Sequence, residues 1–172
     1  RRTLFTTDFG IVDLYLSRAE KEHQYDWIFH SFGVASTAPT LKPVEKIASD
    51  GPLTFGANSR STVTRTAVQV TWENAPITKP PTKSSTALLH EKAFVRVHAG
   101  PSGDTELRLF GIPITENCGS EIDYMMLRRN AKSTVFATVQ EPWRESSAPK
   151  VRSLRSLPVK ACLLYTSPRP RD

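Results

Sequence analysis

The residues that could do chemistry are concentrated in one short stretch, "EHQYDWIFHSFG" at residues 22–33. It contains His23, Asp26 and His30 among several aromatic rings. Histidine beside a carboxylate is a common arrangement for proton transfer. In an extended strand, however, Asp26 and His30 share a face at about 13 Å, which is too far for a hydrogen bond. The stretch alone therefore predicts no catalytic dyad.

The histidines do not form a metal-binding pattern. His23 and His30 lie on opposite faces of the predicted strand, while His90 and His98 belong to a distant loop and strand. The sequence also has no P-loop, no GxGxxG and no paired CxxC motif. It therefore predicts neither a metal site nor a cofactor.

The aromatic side chains of this stretch have two interpretations. His23, Tyr25, Trp27 and Phe29 share one face of the predicted strand. Such a row is typical of a core stripe, because tyrosine and tryptophan bury a large apolar area while keeping a polar group for a partner. It is also typical of a platform on which sugar rings stack. Both interpretations stay open from the sequence.

The elements that must position these residues are predicted to be strands. Apolar and polar residues alternate along "GIVDLYLSR", "STVTRTAVQVTW", "AFVRVHAG", "TELRLFGI", "EIDYMMLRR" and "KSTVFATVQEP". A turn at "RNAK" predicts that residues 121–141 form a hairpin. About eight strands without helical crossovers predict an all-β fold, an antiparallel β-sandwich truncated at both ends.

Three local signals refine this prediction. "GPSGD" at residues 100–104 is typical of a hairpin turn. Pro142 is expected to end the last strand, because proline cannot donate to a central ladder. Arg128 and Arg129 are predicted beside the turn, either as solvated edge charges or as a clamp for the carboxylate of an acidic sugar.

Charge and hydropathy exclude two classes of partner. Six of the 23 basic residues lie from Lys150 onward with one acid, so residues 1–149 carry 17 basic and 16 acidic side chains. This balance gives no electrostatic footprint for nucleic acid. No apolar run approaches the roughly 20 residues of a membrane span. We therefore expect neither nucleic acid nor a membrane as partner.

The two ends of the chain predict a fragment. "RRTLFTTDFG" has neither an initiator methionine nor a signal peptide, and "ACLLYTSPRPRD" resembles translated sequencing-adapter text. We expect one sandwich domain at residues 1–160 and a non-native tail at 161–172. Cys162 would then be foreign, and Cys118 alone supports no disulfide framework.

Two segments carry a family resemblance. "DFGIVDLYLSRAEKEHQYDWIFHSFG" and, further on, "YMMLRRNAKSTVFATVQEPW" resemble segments of the heparinase II/III-like polysaccharide lyases, including their alginate and oligo-alginate lyase relatives. The resemblance covers about residues 3–158, with the segments in the family's order. It implies a C-terminal β-sandwich that follows an α-helical toroid.

The resemblance also implies a reaction, cleavage of uronic-acid-containing polysaccharides by β-elimination. In this reaction the carboxylate is neutralised, a base removes the C5 proton and an acid protonates the departing O4. The family's catalytic tyrosine and histidine belong to the toroid, and its metal ligands to earlier sandwich strands. We expect both regions to be missing from this chain, so no catalytic residue is carried over and the fragment alone should be inactive.

The resemblance implies a substrate-binding role for residues on the two segments, namely His23, Tyr25, Asp26, Trp27, His30 and Arg128. The implied partners are an acidic polysaccharide and the missing toroid of the same chain. The implied location is secreted or periplasmic. Rival hypotheses are a non-catalytic carbohydrate-binding or structural sandwich and, more weakly, a cell-surface adhesion domain.

Overall fold

The computed structural model describes residues 1–45, 56–74, 91–113 and 121–155. Within these ranges every regular element is a β-strand and every strand pairing is antiparallel. The strands are β1 Arg2–Thr6, β2 Ile11–His30, β3 Val34–Thr37, β4 Lys42–Pro43, β5 Ala57–Thr64, β6 Val68–Asn74, β7 Ala93–Ala99, β8 Thr105–Pro113 and β9 Glu121–Arg144. The all-β prediction is confirmed.

Strand β9 is the centre of a single nine-stranded sheet. Strand β2 pairs along one side of it, from Ile11 opposite Gln140 to His30 opposite Tyr124. Strands β7 and β8 lie end to end along its other side. Strands β6 and β5 are likewise arranged end to end, alongside β7 and β8. Strand β3 pairs with β6, strand β4 pairs with β5, and strand β1 pairs with β2.

The long strands bend near their midpoints, and this makes the fold sandwich-like. The register of β2 on β9 shifts between Arg18, opposite Ser133, and His23, opposite Ala131. Residues 19–22 therefore face Lys132 alone, an irregularity of the kind that bends a strand. The sheet curls so that its two halves pack against each other, which confirms the predicted antiparallel sandwich as one folded sheet.

The core lies between the two halves. Trp72 and Val97 come from the half that contains β6 and β7, whereas Leu107 and Met125 come from the half that contains β8, and all four are fully buried. The Trp72 ring packs edge-on against Phe29 at 5.2 Å, and its indole N–H donates to the Asp123 carbonyl at 2.9 Å. Each large side chain buried here contributes roughly 2 kcal/mol.

The first half of β2 buries its more polar face. The predicted alternation of this strand is present, but Asp13 is fully buried while Leu14 and Leu16 are 38% and 43% exposed. Asp13 can be buried because Arg2 donates two hydrogen bonds to its carboxylate, at 3.0 and 2.7 Å. Buried carboxylates are tolerated when they are paired in this way.

The predicted hairpin at residues 121–141 is wrong. Residues 121–144 form one strand, and "RNAK" continues along β2 with Asn130 opposite Gln24 and Ala131 opposite His23. Polar residues at the outside of a bend give the same sequence signal as a turn. The predicted strand "STVTRTAVQVTW" is instead divided into β5 and β6 at residues 65–67.

Two further turn and strand-end predictions are wrong. Residues 100–104 are not a hairpin turn, because β7 and β8 both pair with the same side of β9. Pro142 lies inside β9, opposite Val95. In the described residues β2 pairs no further than Gln140, so proline sits where β9 has a strand on one side, a position that tolerates its missing N–H.

Several predictions fall outside the described residues. They include the domain boundary at residue 160, the tail at 161–172, Cys118 and His90. In the part of the chain that is described, no helix is long and apolar enough to cross a membrane.

Candidate functional site

The strongest candidate site is the outer face of the half built from the end of β2, the start of β9 and β8. Antiparallel register places Asp26, Arg128 and Glu106 directly side by side, and does the same for His30, Tyr124 and Phe110. Paired residues share a face, and so do alternate residues along each strand. We call this surface the polar face, defined by Asp26, His30, Glu106, Arg108, Tyr124 and Arg128.

An ion pair lies at the centre of the polar face. Arg128 donates from Nε and Nη2 to the two carboxylate oxygens of Asp26, at 2.8 Å each. The hydrogen bond with Asp26 raises the pKa of Arg128 above its ordinary value. The side chains remain 15% and 21% exposed. Such bidentate pairs fix both partners in a defined orientation.

A second ion pair and a cleft lie beside the first. Glu106 accepts from Nε and Nη2 of Arg108, at 3.0 and 2.5 Å. A cleft of about 360 Å³ opens next to it, lined by Val63, Asp104, Glu106, Arg128 and Asn130. At its rim Asp104 pairs with Arg65 at 2.5 and 3.1 Å. The carboxylates of Asp26, Asp104 and Glu106 therefore each form an ion pair with an arginine.

Aromatic rings continue the polar face away from this cleft. The exposed His30 ring lies 4.6 Å from Tyr124, and Tyr124 stacks on Phe110 at 5.4 Å. Phe110 is buried, whereas Tyr124 is half-buried. The exposed His30 ring beside the half-buried Tyr124 and the paired charges suits a ligand with both C–H surfaces and hydroxyl groups.

The structure divides the six predicted site residues between two faces. Asp26, His30 and Arg128 lie on the polar face, and the first and last form the ion pair described above. The other three lie on the inward face: His23 is exposed near the bend, Tyr25 is half-buried against the core, and Trp27 is buried. Trp27 therefore has no ring face open to a ligand in this structure.

Arg129 fits neither of the two interpretations that the sequence suggests for it. It is neither a solvated edge charge nor a clamp on the surface, because it points inward at 5% exposure. It donates to the Thr105 and Thr134 hydroxyls and to the Val135 carbonyl, at 2.7, 3.3 and 2.6 Å. Burial lowers the pKa of Arg129 to about 10.

Sequence reasoning missed Asp104, Glu106 and Arg108 as neighbours of Arg128. Alternation in "TELRLFGI" correctly gives Glu106 and Arg108 a common face. This alternation does not show which strand lies beside β9. Strand β8 lies there because it is arranged end to end with β7 along the same side of β9. Long-range strand order is not encoded in local periodicity.

Among the described residues, the polar face contains no proton-transfer dyad of Asp26 and His30. Asp26 is engaged by Arg128 rather than by His30. Within residues 1–45, 56–74, 91–113 and 121–155, no group of three or more histidine, cysteine, aspartate or glutamate side chains could hold a metal ion.

The chain was compared with known families and curated proteins. No protein-family model matches it, and no curated protein matches it either.

Proposed function

We propose that this chain is the β-sandwich part of a polysaccharide lyase that cleaves uronic-acid-containing glycans by β-elimination, and that its polar face contributes to binding the glycan. In this proposal the proton-transfer groups belong to a helical domain beyond these 172 residues. The chain supplies binding and orientation, which lower the entropic cost of bringing the sugar to those groups.

The observation that supports the proposal most is the pairing of the two segments that resemble the lyase family. Strand β2 carries the first segment and β9 carries the second, and they pair residue by residue from His23–Ala131 to His30–Tyr124. Segments separated by about a hundred residues thus contribute to one surface through the Asp26–Arg128 ion pair.

The chemistry of the polar face suits an acidic sugar chain. Guanidinium groups bind carboxylates through two parallel hydrogen bonds, and carboxylates accept hydrogen bonds from sugar hydroxyls. Arg128 supplies the first kind of group, and Asp104 and Glu106 line the cleft beside it. Each charge already has a partner, so a glycan would exchange contacts rather than meet unpaired charges.

A titration of the isotope-labelled chain with defined oligouronates tests this proposal. The NMR signals of Asn130, Arg128 and His30 should shift in a saturable way, while the signals of Arg144 at the other end of β9 should not. Neutral oligosaccharides of the same length should bind about tenfold more weakly, because they lack the carboxylate that pairs with arginine.

Three results would count against the proposal. An absence of shifts on the polar face at millimolar oligouronate would remove the binding role, and equal binding of neutral oligosaccharides would favour a general carbohydrate-binding module. Formation of unsaturated uronate by this chain alone would contradict the assignment of catalysis to another domain.

A further inference from the structure

A second cleft, of about 240 Å³, opens at one side of the sandwich, between its two halves. Arg60 of β5 and Leu109 of β8 line it from one half, and Ala35 and Thr37 of β3 line it from the other. None of these residues belongs to the polar face, which lies on the outside of the sheet.

Arg60 is a cation on the inward-facing side of β5. It lies opposite Leu109, which is 3% exposed and belongs to the core, and residues paired across two strands share a face of the sheet. Arg60 itself is exposed, so its position is at the opening of the sandwich and not in its centre. The register therefore places a guanidinium at the entrance to an apolar interior, where a charged group is favoured by a counter-charge.

Arg60 has no counter-ion in the described part of the chain. No ion pair or hydrogen bond joins it to the residues there, whereas Asp26 binds the guanidinium of Arg128. The Asp123 carboxylate accepts from the backbone N–H of Ala35 at 2.7 Å and does not line the cleft. Among the described residues that line the cleft, Arg60 is therefore the only charged one.

Two hydroxyl groups also line the cleft, but both are already engaged as donors. The Ser36 hydroxyl donates to the Thr71 carbonyl at 3.4 Å, and the Thr37 hydroxyl donates to the Gln69 carbonyl at 2.7 Å. Among the described side chains of the cleft, the guanidinium of Arg60 is thus the group with hydrogens left to donate.

The remaining accessible wall of the cleft is apolar. Pro39 and Leu41 are half-buried and line it, and Leu41 also packs against the core. One guanidinium beside apolar side chains suits a ligand with a single negative charge and a C–H surface. A second negative charge would lose water without gaining a partner.

We propose that this cleft binds a small monocarboxylate, whose carboxylate pairs with Arg60 while its apolar part contacts Pro39 and Leu41. The planar guanidinium matches a carboxylate through two parallel hydrogen bonds. A volume of about 240 Å³ is below the range typical of sites for drug-sized molecules, so the ligand is a single ring or a short chain. The inference stands independently of the polar face and of the proposed lyase function.

A matched set of probes tests the charge and the apolar part of the ligand with the full chain. Benzoate should shift the side-chain Nε signal of Arg60 in a saturable NMR titration, in about the millimolar range expected for so small a ligand. Benzamide has the same ring without the charge, and glucuronate has the carboxylate on a ring covered with hydroxyl groups. Each should bind about tenfold more weakly than benzoate.

Three outcomes of this titration overturn the proposal. An absence of a saturable response to benzoate removes the site, and equal binding of benzamide shows that the charge is not recognised. Binding of glucuronate as tight as that of benzoate shows that the cleft selects a sugar acid and not an apolar carboxylate.

A pair of variants tests the position of the site. Arg60→Gln should weaken benzoate binding about tenfold, because the charge-assisted hydrogen bonds are lost. Lys42 is exposed on the neighbouring strand β4, opposite Ser61, and does not line the cleft. Lys42→Gln removes the same charge close by and should bind benzoate as the wild type does. Denaturation curves confirm that both variants are folded, and equal benzoate affinity of the two folded variants shows that the proposal is wrong.

Discussion

Trp27 donates a hydrogen bond from its indole Nε1 to the carboxylate of Asp13 at 3.1 Å, although the two residues lie 14 positions apart on the same strand. In a straight strand they would be about 46 Å apart. The contact is therefore a direct measure of how far β2 folds back. It joins the two halves of the sheet and orders the strand that presents Asp26 and His30.

Replacement of Asp13 by alanine should destabilise the fold by about 3 kcal/mol, because it leaves the Trp27 N–H without its acceptor and Arg2 without its buried partner. Chemical denaturation measures this. Asp8→Ala is the matched control, since Asp8 is 79% exposed in its pair with Lys150, and it should leave the midpoint unchanged. Equal effects of the two variants would show that the Trp27–Asp13 contact does not stabilise the bend.

The turn after β2 should not tolerate a side chain at Gly33. Gly33 has φ +96°, and a Cβ there would lie 2.2 Å from the Glu73 carbonyl oxygen. Gly33→Ala should therefore cost about 3 kcal/mol or more, from backbone strain and from displacement of β6. Gly103→Ala is the control, because φ is +51° but nothing lies within 4 Å, and it should cost about 1 kcal/mol. A smaller loss at Gly33 than at Gly103 would contradict this reading of the turn.

Arg129 should not be replaceable by lysine. Its planar guanidinium reaches three acceptors and lies 4.4 Å from the centre of the Phe136 ring. An ammonium group cannot reproduce this geometry, so Arg129→Lys should lower the free energy of unfolding by about 2 kcal/mol. Arg144 is 72% exposed, and Arg144→Lys should have no measurable effect. Wild-type stability in the Arg129 variant would show that the planar guanidinium, with its three acceptors, is not required.

Stability should fall as the pH is lowered through the range of histidine titration. Because burial lowers the pKa of His98 below its ordinary value of 6.5, the unfolded chain binds a proton that the folded chain does not. The contribution of neutral His98 to the free energy of unfolding is therefore complete above about pH 6.5. It decreases below that pH, by up to about 1.4 kcal/mol per pH unit.

His98→Gln should remove that part of the pH dependence. Within the described part of the chain, Glu141 and Arg96 are the charged groups that act on His98, and both remain in the variant. Denaturation curves at pH 7.5 and pH 5.5 should thus differ less for the variant than for the wild type. An equal difference in the two proteins would show that His98 titrates normally in the folded state.

The sequence predicted local structure well because strand periodicity is local. Val97, Leu107 and Leu109 are buried in the core, as the alternation of their strands predicts, but His98 and Arg108 on the opposite faces are buried as well. The bends were not predicted, since a bulge opposite Lys132 and a true turn both use polar residues. Hence residues 121–141 were wrongly predicted as a hairpin.

The candidate site was predictable in part for the same reason. Asp26 and His30 were placed on a common face by alternation, and this is confirmed by their pairing with Arg128 and Tyr124. The charge pair itself depends on the antiparallel register of β2 on β9 across a separation of 102 residues. No local pattern contains that register, and none reveals that β8 brings Glu106 beside Arg128.

The most direct test of the binding role of the polar face is a calorimetric titration of oligouronate into the variant Asp26→Asn/Arg128→Gln, which removes both charges of the central pair together. Unfolding of this variant is measured alongside to confirm that it is folded. Arg144→Gln, which changes an exposed arginine at the other end of β9, serves as the control. We predict wild-type affinity for Arg144→Gln and affinity about tenfold weaker for the double variant, since charge-assisted hydrogen bonds to the uronate are lost. Wild-type affinity in a folded double variant would contradict the proposal that the polar face binds the glycan.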